Sequence, residues 1–320
     1  MNTPPPIRAA LIGNPNTGRT TLFNKITGEK QATGNYARVT ISKNSHIIEH
    51  QGVQIELIDL PGVYMLNSKT DEEKITRDLL RKEQPDIVIN VINAGNMERN
   101  LMLTTQLIEM GLPRIFVLNM KDEAERQGVQ IDNQALSSLL GGPIVETVGR
   151  DGTGLDQLLD EIVRYSSDGQ KPCSTVKIGY DSHLEESINQ TTQYLNDLHP
   201  DSMSPEQCRW TAIKLLEGDT EIMEDEHDHA QLIEHVQQVR STLHQQHDES
   251  AESLVLSGRY GFINGLLEEV RHLEIDTLMN RVNVTRAIDG LLLNRLLGLP
   301  LFLALMWVMF ETTFTLGAYP

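Results

Sequence analysis

Gly13-Asn14-Pro15-Asn16-Thr17-Gly18-Arg19-Thr20 follows an apolar run, Ile7 to Ile12, and leads into Leu22-Phe23-Asn24-Lys25-Ile26. A strand, a glycine-bounded loop and a helix N-terminus in that order make a phosphate cradle, because loop amides and the helix dipole point at one anion. The spacing is that of the P-loop, G-x-x-x-x-G-K-[ST], everywhere except Arg19, where lysine is expected. Arginine keeps the charge but exchanges a compact ammonium for a longer planar fork. The expected phosphate contacts are Gly13, Asn14, Pro15, Asn16, Thr17, Gly18, Arg19, Thr20 and Thr21, with the Thr20 hydroxyl directed at Mg²⁺.

Downstream, Gly34 to Thr40 is a polar loop, and alternation from Ile41 to Ile48 predicts a strand. Thr40, with Thr33 as its rival, is the candidate to reach Mg²⁺ and a γ-phosphate and to let go when that phosphate leaves. Val53 to Ile58 predicts the next strand and delivers Asp59-Leu60-Pro61-Gly62. Such an aspartate holds Mg²⁺ through water, and the Gly62 amide meets the γ-phosphate. Val63 stands where Ras-like GTPases keep a water-orienting glutamine, so hydrolysis is expected to be slow or arranged differently, with Arg19, Thr40 and Gly62 as the catalytic candidates.

Asp86 to Ile92 is an apolar run broken only by Asn90, as in a parallel strand buried on both faces. Leu101 to Met110 predicts a helix, and Arg114 to Leu118 a strand ending in Asn119-Met120-Lys121-Asp122. A carboxylate at Asp122 accepts a pair of hydrogen bonds that guanine N1 and N2 supply and adenine does not. After a last strand, Pro143 to Thr147, Val148-Gly149-Arg150 is expected to offer backbone to the base, and a closing helix runs to about Tyr165. Residues 1–166 are thus expected to form a doubly wound α/β domain of the P-loop GTPase type, with ligand at the carboxyl ends of the strands.

At 320 residues the chain holds about two domains. Its 39% apolar and 22% charged content excludes wholesale disorder, and the net charge of −18 argues against a nucleic-acid partner. Cys173 and Cys208 have no metal-type spacing and read as reduced thiols.

Over 167–280, after a polar linker from Ser166 to Pro172, the period turns helical. Ser182 with Glu185 and Ser204 with Gln207 predict capping boxes, and Gly218 a helix stop. Ala230–Leu243 and Leu254–Leu273 complete a four-helix domain. Glu221 to His229 is rich in acids and histidines, with His227 and His229 flanking Asp228; a metal-binding tract is one reading, but without fixed ligand spacing a solvated inter-helix loop is the stronger one. His244 and His247 read the same way.

From Leu296 to Phe310 only Gly298 and Pro300 interrupt an apolar run. Residues 281–320 are therefore expected to be a juxtamembrane segment and first transmembrane helix, provided Glu311 and the neighbouring threonines face protein; the alternative is a buried core helix. Arg281, Arg286 and Arg295 precede the run and no Lys or Arg follows it, which places everything before about residue 290 in the cytoplasm. The stop at Pro320 reads as a fragment of a larger membrane protein.

Gly13-Asn14-Pro15-Asn16, Asp59-Leu60-Pro61-Gly62-Val63-Tyr64, Glu98-Arg99-Asn100-Leu101, Asn119-Met120-Lys121-Asp122-Glu123-Ala124 and Gly298-Leu299-Pro300-Leu301-Phe302 together resemble FeoB-type ferrous iron transporters. The resemblance covers nearly the whole chain. It implies a GTP-binding and GTP-hydrolysing G domain, a helical domain of the GDP-dissociation-inhibitor kind, and a bacterial inner-membrane pore for Fe²⁺ beyond this chain, gated by nucleotide state. Some members use K⁺ through the P-loop asparagine, which corresponds to Asn16, so K⁺ joins GTP/GDP and Mg²⁺ as an expected ligand. A small FeoA-like partner and a homo-oligomer are left open. The chain departs from the family at Arg19, Ala37-Arg38, Asn93 and Val148-Gly149. Those departures keep a second reading alive, a degenerate regulatory GTP-binding domain in which Arg19 has ended hydrolysis.

Overall fold

The computed structural model describes residues 5–28, 44–67, 70–168, 176–200, 202–273 and 298–316. Thr33, Thr40, Ala37-Arg38, Cys173 and the arginines at 281, 286 and 295 lie outside the described residues.

Six strands form one sheet: β1 (Ile7–Gly13), β2 (Asn44–His50), β3 (Val53–Asp59), β4 (Ile87–Asn93), β5 (Arg114–Asn119) and β7 (Ile144–Glu146), in the order β2-β3-β1-β4-β5-β7. Every pairing is parallel except that of β2 with β3. The central strands are apolar runs because helices cover both faces. On one face Leu11, Leu57, Ile89 and Val117 pack with Leu22 and Phe23 of α1 (Arg19–Thr27) and with Leu158 and Ile162 of α6 (Leu155–Asp168). On the other, Ala10, Ile12 and Val88 meet Leu103 and Leu107 of α3 (Met97–Glu109). The one polar side chain inside β4, Asn90, is satisfied by the Thr104 hydroxyl at 2.6 Å. The doubly wound α/β expectation is met.

The same sheet face is closed from outside by a second set of helices. After α2 (Asp71–Asp78), α4 (Lys121–Arg126) and α5 (Asn133–Leu140) of the first unit come α7 (Ser182–Leu198), α8 (Pro205–Glu217), α9 (Thr220–Asp225), α10 (Ala230–His247) and α11 (Ala251–Val270). Trp210, Ala212 and Leu215 of α8 join the core beneath α3. Five helices stand where four were expected, because the Asp219 side chain caps a separate short turn, α9, just past the Gly218 stop. The Ser204–Gln207 capping box is present, an arrangement that contributes about 1 kcal/mol. The Ser182–Glu185 box is not. Asp181 caps α7 instead, accepting from the His183 and Leu184 amides, since its ionised oxygen is the better acceptor one residue earlier.

The expected helix 254–273 ends early. Arg271–Leu273 is a strand, β8, antiparallel to β6 (Val129–Ile131). This ribbon stitches the end of the helical unit to the edge of the α/β unit.

Gly298–Leu316 is helical (α12), with Phe302, Leu303, Trp307, Phe310 and Phe314 exposed. Among the described residues no helix is long and apolar enough to cross a membrane. Glu311, Thr312, Thr313 and Thr315 fall in the last turns of α12.

Candidate nucleotide site

The loops at the carboxyl ends of β1, β3, β5 and β7 converge on one place. Gly18 sits at φ 81°, and a Cβ there would lie 2.3 Å from Asn119 Nδ2. Only glycine fits. Gly13 is under similar pressure, with a virtual Cβ 2.6 Å from the Val91 carbonyl oxygen. Asn16 takes the left-handed conformation at φ 67°, and no side chain caps α1, so the amides of its first turn remain available to an anion.

Asn119 is the fastener. Its Nδ2 donates to the Thr17 carbonyl at 2.8 Å, while its Oδ1 accepts from the Thr147 hydroxyl and the Gly149 amide, both at 3.0 Å. One buried amide thus joins the P-loop to the loop after β7. Asn14 makes a second tie, donating to the Arg99 carbonyl at 3.0 Å, and the Arg99 guanidinium lies 4.5 Å from the ring centre of Tyr64.

The Asp59-to-Gly62 segment lies along the P-loop. The Leu60 amide donates to Leu11 O at 3.0 Å and the Val63 amide to Gly13 O at 3.3 Å, and the Gly62 virtual Cβ is 3.3 Å from the Pro15 nitrogen. Arg19 is turned inward: its Nε meets Asp59 Oδ1 at 2.5 Å, with both side chains nearly buried. Burial pushes the Asp59 carboxyl above its ordinary range, opposed by the charge of Arg19 and by hydrogen bonds from Arg19 and Thr20. Thr20 and Asp59 therefore place two hard oxygen donors together, the chemistry Mg²⁺ takes, and the glycine cradle with open amides fits phosphate.

Met120 adopts φ 61° and precedes α4. Lys121 pairs with Glu146, which raises its ammonium above its ordinary value. The Asp122 carboxylate is held by Arg126 at 2.6 Å and approached by Arg150 at 3.5 Å. In the next loop, Val148 bridges to Thr153 and Asp151 accepts from the Thr153 amide and hydroxyl. Arg150, expected to offer backbone to the base, reaches the Asp122 carboxylate with its side chain.

Behind the site, sequence reasoning missed a buried polar chain. Gln106 of α3 receives the Leu66 amide at 2.6 Å and donates to Asn67 Oδ1, which also receives Lys214 of α8 at 3.1 Å. Lys214 pairs with Glu217 at 2.8 Å, Glu217 with Arg259 of α11 at 2.6 Å, and Arg259 reaches both oxygens of Glu109 at 3.0 and 2.7 Å. Burial opposes the charge on Glu217, yet Lys214 and Arg259 hold its carboxyl below the ordinary range. Burial likewise opposes Arg259, and Glu109 and Glu217 win, raising it well above. A second seam joins Arg77 of α2, fully buried, to Asp219 and Glu221 of α9. Apart from the i,i+3 pair Lys214–Glu217, no local spacing signals either seam, because the other partners lie far apart in sequence.

Comparisons agree with this geometry. Residues 7–162 match the family model for ferrous iron transport protein B, and 180–272 the model for the FeoB cytosolic helical domain. The chain is 40% identical over 323 residues to an Fe(2+) transport protein A/Fe(2+) transporter FeoB fusion protein of Porphyromonas gingivalis, covering 98% of this chain and 37% of that protein. It is 36% identical over 314 residues to the Fe(2+) transporter FeoB of Salmonella typhimurium, covering 96% and 38%. It spans less than two fifths of the length of these relatives. The structure of NFeoB from S. thermophilus bound to GDP·AlF4⁻ and K⁺ superposes with a TM-score of 0.72 at 36% identity, covering 82% of this chain and 99% of that one. The cytosolic domain of L. pneumophila FeoB gives 0.69 at 30% identity, covering 83% and 99%. The likeness runs through both units, and the chain belongs to the FeoB family of ferrous iron transport proteins.

Proposed function

We propose that this chain is the guanine-nucleotide switch of a ferrous iron transporter, binding GTP, hydrolysing it slowly and passing nucleotide state to its helical unit. The observation that carries the reading is the Asn119 fastener, which fixes the phosphate loop and the base loop to each other. Gly13 to Thr21 hold the phosphates, Asp59 to Gly62 sense the γ-phosphate, and Asp122 selects guanine, with Met120, Lys121 and Val148 to Arg150 framing the base. Thr20 and Asp59, with Thr40, hold Mg²⁺, which when bound neutralises the β- and γ-oxygens. Asn16 is the K⁺ contact, a reading supported by the K⁺ named for the NFeoB relative.

The domains divide at 1–166, 167–280 and 281–320. The exposed apolar side chains of α12 support a membrane-contacting start to the last, with the preceding units on the cytoplasmic side of a bacterial inner membrane. Fe²⁺ is cargo for the remainder of such a transporter, and the fusion relative supports a FeoA-like partner.

A second reading has its own observation. The Arg19–Asp59 pair ties the P-loop cation to the Mg²⁺-side carboxylate, as expected of a regulatory domain that binds but does not hydrolyse. Hydrolysis by the full chain in detergent, with Mg²⁺ in K⁺ or Na⁺, separates the two. Turnover above background, unaffected by excess ATP and lost in Asp122→Ala, supports the switch. Asp122→Ala is expected to weaken GTP binding about 100-fold or more, since two charge-assisted bonds vanish. Turnover only after Arg19→Lys supports the regulatory reading.

A further inference from the structure

The acid- and histidine-rich stretch that looked like a plain loop is completed by a residue from elsewhere. His199, immediately after α7, meets Glu226 Oε2 through Nε2 at 3.1 Å, and His229, immediately before α10, meets the same oxygen through Nδ1 at 3.0 Å. One ligand atom from each of the three lies within 4.8 Å of the others. We propose that His199, Glu226 and His229 form a binding site for a divalent first-row transition-metal ion, completed by water. The proposal is independent of the nucleotide reading.

Four features carry it. A tetrahedral or octahedral centre with bonds of about 2.1 Å sets neighbouring ligand atoms about 3.0–3.4 Å apart, the spacing of both imidazoles from the carboxylate. The imidazole rings are nearly perpendicular, at 88°, with centroids 5.2 Å apart, so their lone pairs converge without stacking. The Glu226 carboxylate is 9% exposed, and among the described residues no Lys or Arg pairs with it, so a largely buried charge is left for a cation to meet.

The backbone is also preset. The His199 amide bonds to Leu195 O at 2.8 Å, the Glu226 amide to Ile222 O at 3.2 Å and the His229 amide to Glu226 O at 2.9 Å. All three ligands are thus anchored at helix ends. Two imidazoles with one carboxylate select Zn²⁺, Fe²⁺ or Co²⁺ over Mg²⁺ and Ca²⁺, which take oxygen. His227, the histidine paired with His229 on spacing, points elsewhere, to Asp228 and the Glu224 carbonyl.

Occupancy would pin the end of α9, whose Asp219 and Glu221 dock on Arg77 of the α/β unit. A second cluster, Asp181, His183 and His247, is more exposed and its carboxylate already caps α7. It serves as the control.

The test is Co²⁺ titration of the full chain in detergent, followed by its visible absorption, with excess Mg²⁺ occupying oxygen-only sites, and anaerobic Fe²⁺ as competitor. One equivalent is expected, displaced by Fe²⁺, weakened more than about 100-fold by His199→Ala or His229→Ala and unchanged by His183→Ala; that loss exceeds the cost of removing an outer-shell partner. His229→Cys is expected to keep the ion and add a thiolate-to-cobalt charge-transfer band, a signature no loss of folding can imitate. Absence of Co²⁺ binding by the native chain, binding indifferent to both alanine variants, loss confined to His183→Ala, or a cysteine variant without the band would each overturn the site.

Discussion

Asn119 shows how much one side chain can decide. It spends both ends of a buried amide on three partners in two loops, so Asn119→Ala orphans the Thr147 hydroxyl and the Gly149 amide as well as losing its own bonds. At about 1 kcal/mol for each bond and more for each orphan, the expected loss is about 2–4 kcal/mol, read as a lower urea midpoint at unchanged m-value. Nucleotide affinity should fall with it. An unchanged midpoint would mean that the fastener is not structural. Gly18 makes the complementary case: alanine there meets Asn119 at 2.3 Å and φ 81°, so Gly18→Ala should reproduce the Asn119 phenotype, and combining the two should cost less than their sum.

At the scale of elements, α11 is locked to α3 and α8 by Arg259. Arg259→Met leaves Glu109 buried without its cation and Glu217 with Lys214 alone, and about 3–5 kcal/mol is expected in thermal or urea unfolding. The pH dependence has a definite sign. Glu217 is depressed in the folded chain, so its contribution is present above its ordinary value of 4.5 and is lost as pH falls through the lower folded value. Unfolding free energy should therefore drop on acidification below about 4.5, and the Arg259→Met chain, in which Lys214 alone lowers Glu217, should show a shallower drop. Equal slopes in the two chains would sink this account.

For the whole molecule, the segment after Gly62 touches the helical unit through Asn67 and Lys214, the contact through which the proposed switch would pass nucleotide state. Lys214→Met is expected to leave GDP affinity within about twofold while removing any difference in amide exchange over α8 and α11 between GDP-bound and GTP-analogue-bound chains. Persistence of that difference would route the coupling elsewhere, with the Arg77 seam the next candidate.

The parallel strands and the loops that converge at their carboxyl ends were legible in the sequence, because peptide geometry imposes fixed local spacings and a strand buried on both faces must be an apolar run. The ends of elements were less so: Asp181 rather than Ser182 caps α7, and β8 hides in what reads as helix, since its partner strand lies more than a hundred residues away. Only the tertiary structure decided that Arg19 pairs with Asp59, that Lys214 reaches Asn67, and that His199 joins Glu226 and His229. Arg19 and Asp59 meet because β1 and β3 pair within the sheet, His199 reaches the Glu226–His229 pair because α7 packs on α10, and only Lys214 and Asn67 depend on the two units meeting.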